Sequence, residues 1–307
     1  METLLNSLLS VAGVVLLGWI AGRSKIIKEE NDHGFNVFIL NFSLPILLFI
    51  TTATANPHEL LDLKMGGAFI IALMGMYFLT FALNRIVFKR SLQRSAETAF
   101  VCGYPNTAFL GIPLLTSLIG MQAMLPIVVS NIVVGVLMIP TTLILIELGI
   151  VGESGVDLKQ ITLRVIKNPL IFMPILGIII SSFQLPVPKV IASSATLIGG
   201  TTSGISLFTL GLIISRFKIH LSTIVVVNIF LKNIIHPLLM MGIVKIFGIS
   251  GLLAKELVIL CAMPTAITST IFSVSFDIDP QENVSSTIIG TIMSLLTLFI
   301  FMYWLHF

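Results

Sequence analysis

Ten separate apolar runs, each near the roughly 20 residues a helix needs to cross a bilayer, take up almost all of this 307-residue chain. They lie at about 3–22, 34–55, 65–88, 95–119, 122–148, 165–183, 190–214, 221–247, 252–276 and 285–305. In lipid every backbone polar group must be satisfied internally, so runs of this length read as membrane helices. The expected fold is therefore an all-α polytopic membrane protein. Charged residues make up only 10% of the chain, against about 25% in a soluble domain. Ten spans leave little chain for an extramembrane domain, so the function is expected to lie within the membrane.

The charges orient the spans. With the N-terminus outside, the inner loops carry Arg23, Lys25, Lys28, Arg85, Lys89, Arg90, Arg94, Lys159, Arg164, Lys167, Arg216 and Lys218. The outer side carries Lys64, Lys189, Lys245 and Lys255, while Lys232 falls inside a span. The excess of cations on inner loops predicts both termini outside, in a cell-membrane protein. The first segment has no basic region before it and no small-residue cleavage site, so it reads as the first helix. Cys102 and Cys261 both lie within spans and suggest neither a disulfide framework nor a metal cluster.

The stretch "CGYPNTAFLGIP" (102–113) interrupts the fourth span with two prolines, two glycines and an asparagine. At an offset of 159, "AETAFVCGYPNTAF" (96–109) overlies "KELVILCAMPTAIT" (255–268), matching Glu97 with Glu256, Cys102 with Cys261 and Pro105 with Pro264. The polar gap 152–160 divides the chain into residues 1–151 and 161–307, with five spans in each. An odd number of spans inverts the second copy, and inverted repeats with helices broken at matching positions mark secondary transporters. Such breaks survive only inside protein or beside a water-filled cavity. Each should present a half-helix N-terminus suited to an anion, beginning near Asn106 and Thr265. The opposed C-terminal carbonyls suit a cation or a donor.

At these residues the chain resembles the auxin efflux carrier family, which includes the plant PIN proteins and bacterial dicarboxylate permeases. The similar motifs are "NFSLPILLF" (41–49), "PNTAFLGIPL" (105–114), "NPLIFMPILGIII" (168–180), "SGISLFTLGLIIS" (203–215), "MPTAI" (263–267) and "STIIGTIMSLLTL" (286–298). They span essentially the whole chain in order. The resemblance implies a bile-acid-symporter-like fold with a scaffold of helices 1, 2, 6 and 7, through which a homodimer would form. Helices 3–5 and 8–10 would make a transport domain that moves in an elevator-like step, with substrate at the crossing of helices 4 and 9. The short central loop looks like a compact, bacterial-type member similar to malate or malonate permeases. Plant members place asparagine after both crossover prolines, whereas here the second is Thr265.

Each candidate residue has a functional and a structural account. Pro105 and Pro264 read as paired crossover breaks, or as ordinary kinks. Asn106 suits both a helix cap and a substrate contact; Thr265 suits a substrate contact or local backbone bonding. Lys232 lies about 17 Å along helix 8 at 1.5 Å per residue, near the membrane centre. It reads as an anion contact, a fixed cation replacing a coupling sodium, or a strut bonded to carbonyls of the broken helices. His236, one turn later, and the carboxylates Glu97 and Glu256 are candidates for coupling; the two glutamates also read as residues opening helices, where the dipole favours them. Ser43 and Pro45 face the cavity only by resemblance. No nucleophile–base pair, phosphate loop or metal cluster is apparent, so neither an enzyme nor a cofactor is expected. The reading is a secondary transporter of a small organic anion, a mono- or dicarboxylate, embedded in lipid and without a nucleic-acid partner. The competing classes are a passive anion channel and an intramembrane enzyme.

Overall fold

The computed structural model of the chain describes residues 2–55, 63–151, 167–216 and 218–306. The expected 152–160 boundary lies outside them. All the named elements are helical. They are α1 (Glu2–Arg23), α2 (Glu29–Phe38), α3 (Leu44–Ala53), α4 (Leu63–Ile86), α5 (Leu92–Gly103), α6 (Ile112–Ile119), α7 (Met124–Val133) and α8 (Ile139–Val151). Then follow α9 (Pro169–Ser182), α10 (Lys189–Ile214), α11 (Thr223–Phe230), α12 (His236–Ile246), α13 (Gly251–Ala262), α14 (Ile267–Ser275) and α15 (Pro280–Trp304).

Several of these segments join through a π turn into one longer helix. The π turns are Ile39–Ser43, Thr107–Gly111, Val134–Met138 and Leu231–Ile235. Each ends two residues before a proline: Pro45, Pro113, Pro140 and Pro237. A proline ring clashes with the carbonyl four residues earlier and offers that carbonyl no N–H. Here those carbonyls belong to Asn41, Phe109, Val136 and Asn233, each inside its π turn. Widening the turn relieves the clash without ending the helix. Pro174 of α9 sits inside a helix without such a turn.

Among the described residues, six helices are long and apolar enough to cross a membrane: Gly34–Ala53, Leu63–Ile86, Met124–Ile150, Lys189–Ile214, Thr223–Ile246 and Pro280–Trp304. Two shorter apolar helices are Ala12–Arg23 and Pro169–Ser182. The remaining apolar runs are the broken pairs, α5 with α6 and α13 with α14.

Two helix pairs pack backbone to backbone, α1 with α10 and α3 with α9. A side chain at Gly18 would overlap the Phe208 carbonyl, and one at Gly177 would overlap Thr52 and the Phe49 carbonyl. Only glycine permits either approach. Gly18 and Gly177 are 159 positions apart, as are Phe49 and Phe208. The two contacts are therefore counterparts at the same offset that aligns the broken helices. Around these pairs α4, α5, α7, α8 and the second-half helices bury an apolar core that includes Phe69, Tyr77, Phe100, Met138, Leu260 and Phe272.

Polar and charged contacts tie the α4–α5 connection to the start of α15 and to Ser222 before α11. Arg90, in the α4–α5 connection, pairs with Asp279 and with Glu282 (2.7 Å), which Arg94 and Ser222 also engage. The "DIDPQE" stretch (277–282) thus supplies the acidic half of a partly buried ion cluster.

Candidate functional site at the helix crossing

Both broken helices lose their continuity at proline, and the two breaks meet. α5 ends at Gly103 and α13 at Ala262, and between them Pro105 and Thr265 form an antiparallel bridge. The Asn106 N–H donates to the Pro264 carbonyl at 2.8 Å, and the Ala266 N–H to the Tyr104 carbonyl at 2.9 Å. Each break therefore satisfies backbone groups that the other's proline disrupts. In hydrocarbon an unsatisfied group costs several kcal/mol, so neither break is stable without its partner.

Beyond the bridge each chain resumes as helix. The Asn106 carbonyl accepts from Leu110 (3.3 Å) and Gly111 (3.1 Å), which starts the π turn Thr107–Gly111. Thr107 Oγ1 donates to Asn131 Oδ1 of α7 at 2.9 Å, anchoring that turn. On the other side α14 begins at Ile267. Both second halves thus start one or two residues after the expected points, because the bridge holds 105–106 and 264–266 extended.

Two cavities flank the crossing. One of about 310 Å³ lies between α1, α10 and α15, with Asn106, Pro264 and Thr291 among apolar walls such as Leu110, Leu210 and Ile267. The other, about 100 Å³, lies beside α3 and α7, with Tyr104, Thr51 and Asn131 on its wall. The only polar side chains on the described walls of the larger cavity are Asn106 and Thr291. Sequence reasoning missed Asn131 and Thr291. Asn131 falls in an unbroken apolar run, and nothing in its spacing reveals its bond to Thr107.

Lys232 lies behind the crossing, within its π turn. Its Nζ donates to the Cys261 carbonyl at 2.8 Å, next to the C-terminus of α13, and stands 3.2 Å from His236 Nδ1. Cys102, the counterpart of Cys261, donates from Sγ to the Asn228 carbonyl at 3.7 Å, one turn before Lys232. The negative end of a half-helix therefore faces a buried ammonium. Neither Lys232 nor His236 lines the described walls of the two cavities. Ser43 is buried in the first π turn with no described partner for its hydroxyl, while its neighbour Leu44 lines the smaller cavity.

The glutamates do not open their helices. Ser91 caps α5, its Oγ accepting from the Arg94 N–H, and no acidic residue lies in the first turn of α5 or α13. Ser91 and the polar residues after it carry α5 beyond its apolar run, and α13 begins at Gly251, five residues before Glu256. Glu97 is wholly buried, with neither carboxylate oxygen hydrogen-bonded among the described residues, and lies near Tyr77. Glu256 is buried on α13. The dipole account given for both therefore fails.

Paired broken helices, apolar spans and cavities at the crossing define a multi-pass membrane protein of the transport class. Residues 3–153 and 155–302 match the family described as "Membrane transport protein", and the chain belongs to that family, which holds the PIN-like carriers. It is 25% identical over 293 residues to the uncharacterized transporter YfdV of Escherichia coli K12, covering 94% of this chain and 93% of that one. It is 24% identical over 301 residues to the uncharacterized transporter MJ1031 of Methanocaldococcus jannaschii, covering 96% of each. Auxin efflux carrier component 8 of Arabidopsis thaliana is 22% identical over 342 residues, covering 92% of this chain and 91% of that protein.

Proposed function

We propose that the chain is a secondary transporter of a small organic anion, bound at the crossing of the broken helices and moved by elevator-type alternating access. The observation that carries this reading is the antiparallel bridge at Pro105 and Thr265, with Asn106 on the wall of a 310 Å³ cavity. Half-helix N-termini at such a bridge offer N–H groups and partial positive charge to an anion. The apolar walls favour a monocarboxylate with an apolar body over a malate-like dicarboxylate. A second carboxylate would lie against Leu, Ile and Val side chains at a cost of several kcal/mol.

The ten-helix, five-plus-five inverted repeat is supported by the glycine contacts at Gly18 and Gly177 and by the crossing itself. Its scaffold would be α1, α2–α3, α9 and α10, whose glycine-lined seams suit a rigid pair of pairs. The transport domain would be α4–α8 and α11–α15, bound at one end by the Arg90 cluster. A homodimer through the scaffold, a place in the cell membrane and both termini outside complete the proposal.

A thermal-shift screen of mono- and dicarboxylates on the purified protein tests it, because a ligand stabilises in proportion to its occupancy. Apolar monocarboxylates should raise the unfolding temperature, and Asn106→Ala should reduce that rise. No stabilisation by any carboxylate would overturn the substrate class.

A further inference from the structure

The larger cavity at the crossing is open on its outer side. Asn106 and Leu110, at its inner end, are buried, whereas Leu9 is 65% and Ile292 61% exposed, and Ala12 and Leu295 are also exposed. The exposed four lie on α1 and α15. α1 packs along α10 and touches α6, while α15 packs on α11, α13 and α14. Among the described residues α1 and α15 do not pack closely on each other, so the cavity opens between them.

The depth of this opening follows from the helix ends. A side chain at Gly22, near the end of α1, would overlap Ser215, just past α10. In the connection that follows α10, the His220 N–H donates to Ser285 Oγ near the start of α15 at 3.0 Å. The end of α1 and the start of α15 therefore share one side of the protein. At 1.5 Å per residue, Leu9 and Ala12 stand about 16–21 Å from that end of α1. Ile292 and Leu295 stand about 18–22 Å from that end of α15. The hydrocarbon core is about 30 Å thick, so the opening meets acyl chains and not headgroups or water.

A gap between helices filled by lipid would account for an apolar opening alone. This one runs inward to Asn106 and the broken-helix bridge, and its described wall is apolar apart from Asn106 and Thr291. A chain lying along it has one end at the bridge and the other in lipid. Methylenes that outrun the cavity stay in hydrocarbon, whereas a closed pocket would cap the length of its ligand. The charged end, which is costly at this depth in lipid, stays at the bridge.

We propose that the ligand of the crossing is an amphiphilic monocarboxylate, its carboxylate beside Asn106 and its apolar tail passing between α1 and α15 into the bilayer. This rests on the transport reading, which places an anion at the crossing, and adds to it the length and path of the ligand's tail.

The test titrates the purified full-length protein, in one detergent at fixed concentration, with butanoate and with dodecanoate, and reads the unfolding temperature. Partition into micelles is common to all variants, so each acid is compared between variants. Ala12→Phe narrows the opening from α1 and Ile292→Trp narrows it from α15; both sites are exposed, so the added bulk stays out of the core. Leu16→Phe, exposed on α1 and off the described cavity wall, is the control. Dodecanoate should half-saturate the wild type at a lower concentration than butanoate does. Each narrowing variant should raise the dodecanoate value about tenfold, the effect of losing roughly two buried methylenes, and leave the butanoate value unchanged. Leu16→Phe should change neither. If the narrowing variants weaken both acids alike, or weaken neither, the tail path is overturned while the anion reading of the crossing stands. Dodecanol stabilising as well as dodecanoate, in the wild type and in Asn106→Ala alike, would assign the opening to lipid chains alone and overturn the proposal. Stabilisation by neither acid would overturn it together with the carboxylate reading on which it rests.

Discussion

Lys232 Nζ donates to the Cys261 carbonyl at 2.8 Å, placing a buried cation against the end of a half-helix. Replacing it with methionine keeps most of the volume but orphans that carbonyl. The expected loss of stability is about 1.5–3 kcal/mol, the range for a charge-assisted bond, measured by thermal unfolding in detergent. Lys232→Arg should not restore the protein, because the planar guanidinium cannot occupy a point-charge site of this size.

We propose that this buried amine, bonded to the half-helix carbonyl of Cys261, stands in for a coupling sodium. Uptake into proteoliposomes should therefore persist when sodium is replaced by potassium at constant pH. A collapse of uptake would overturn this.

Asn106 joins the bridge through its backbone and reaches the cavity. Asn106→Ala keeps the bridge and should weaken carboxylate binding by about 1–3 kcal/mol, roughly tenfold to over a hundredfold in affinity. Thr265→Ala should do less, and Thr265→Asn should bind as well as the wild type. Isothermal titration on folded variants checks all three.

Gly18→Ala and Gly177→Ala each push a methyl group into backbone across a helix seam. Each should destabilise the protein by about 1–3 kcal/mol, as overpacking does. Gly13→Ala, with nothing within 4 Å of its added carbon, should be neutral in the same unfolding assay. Similar losses at 18 and 177 are what an inverted repeat requires.

Orientation is testable by cysteine labelling, because Cys102 and Cys261 are buried and will not react. Ser154, in the polar gap, lies outside the described residues, so exposed sites at either end of α10 serve instead. Gln184→Cys should label from the external medium, and His220→Cys only after permeabilisation. The reverse pattern would invert the topology.

Much of this was legible in the sequence. Helix positions followed from the lengths of apolar runs, and the matched positions 97/256, 102/261 and 105/264 located both breaks. The start of α5 was misplaced because Ser91 and the polar residues after it carry helix beyond the apolar run, which moved Glu97 out of the first turn. The π turns were not anticipated either, although a proline two residues past each turn explains them afterwards.

What the sequence determined by itself was local: hydrophobic length makes a helix in lipid, and proline without an N–H breaks or widens it. Pairing was decided only by the tertiary structure. That the Asn106 N–H meets the Pro264 carbonyl, that Gly18 lies on Phe208, and that Lys232 turns toward Cys261 rather than into the cavities depends on which helices cross and at what depth. Those crossings are set by close packing between segments far apart in the chain, a property of the assembled surfaces that no single run of residues contains.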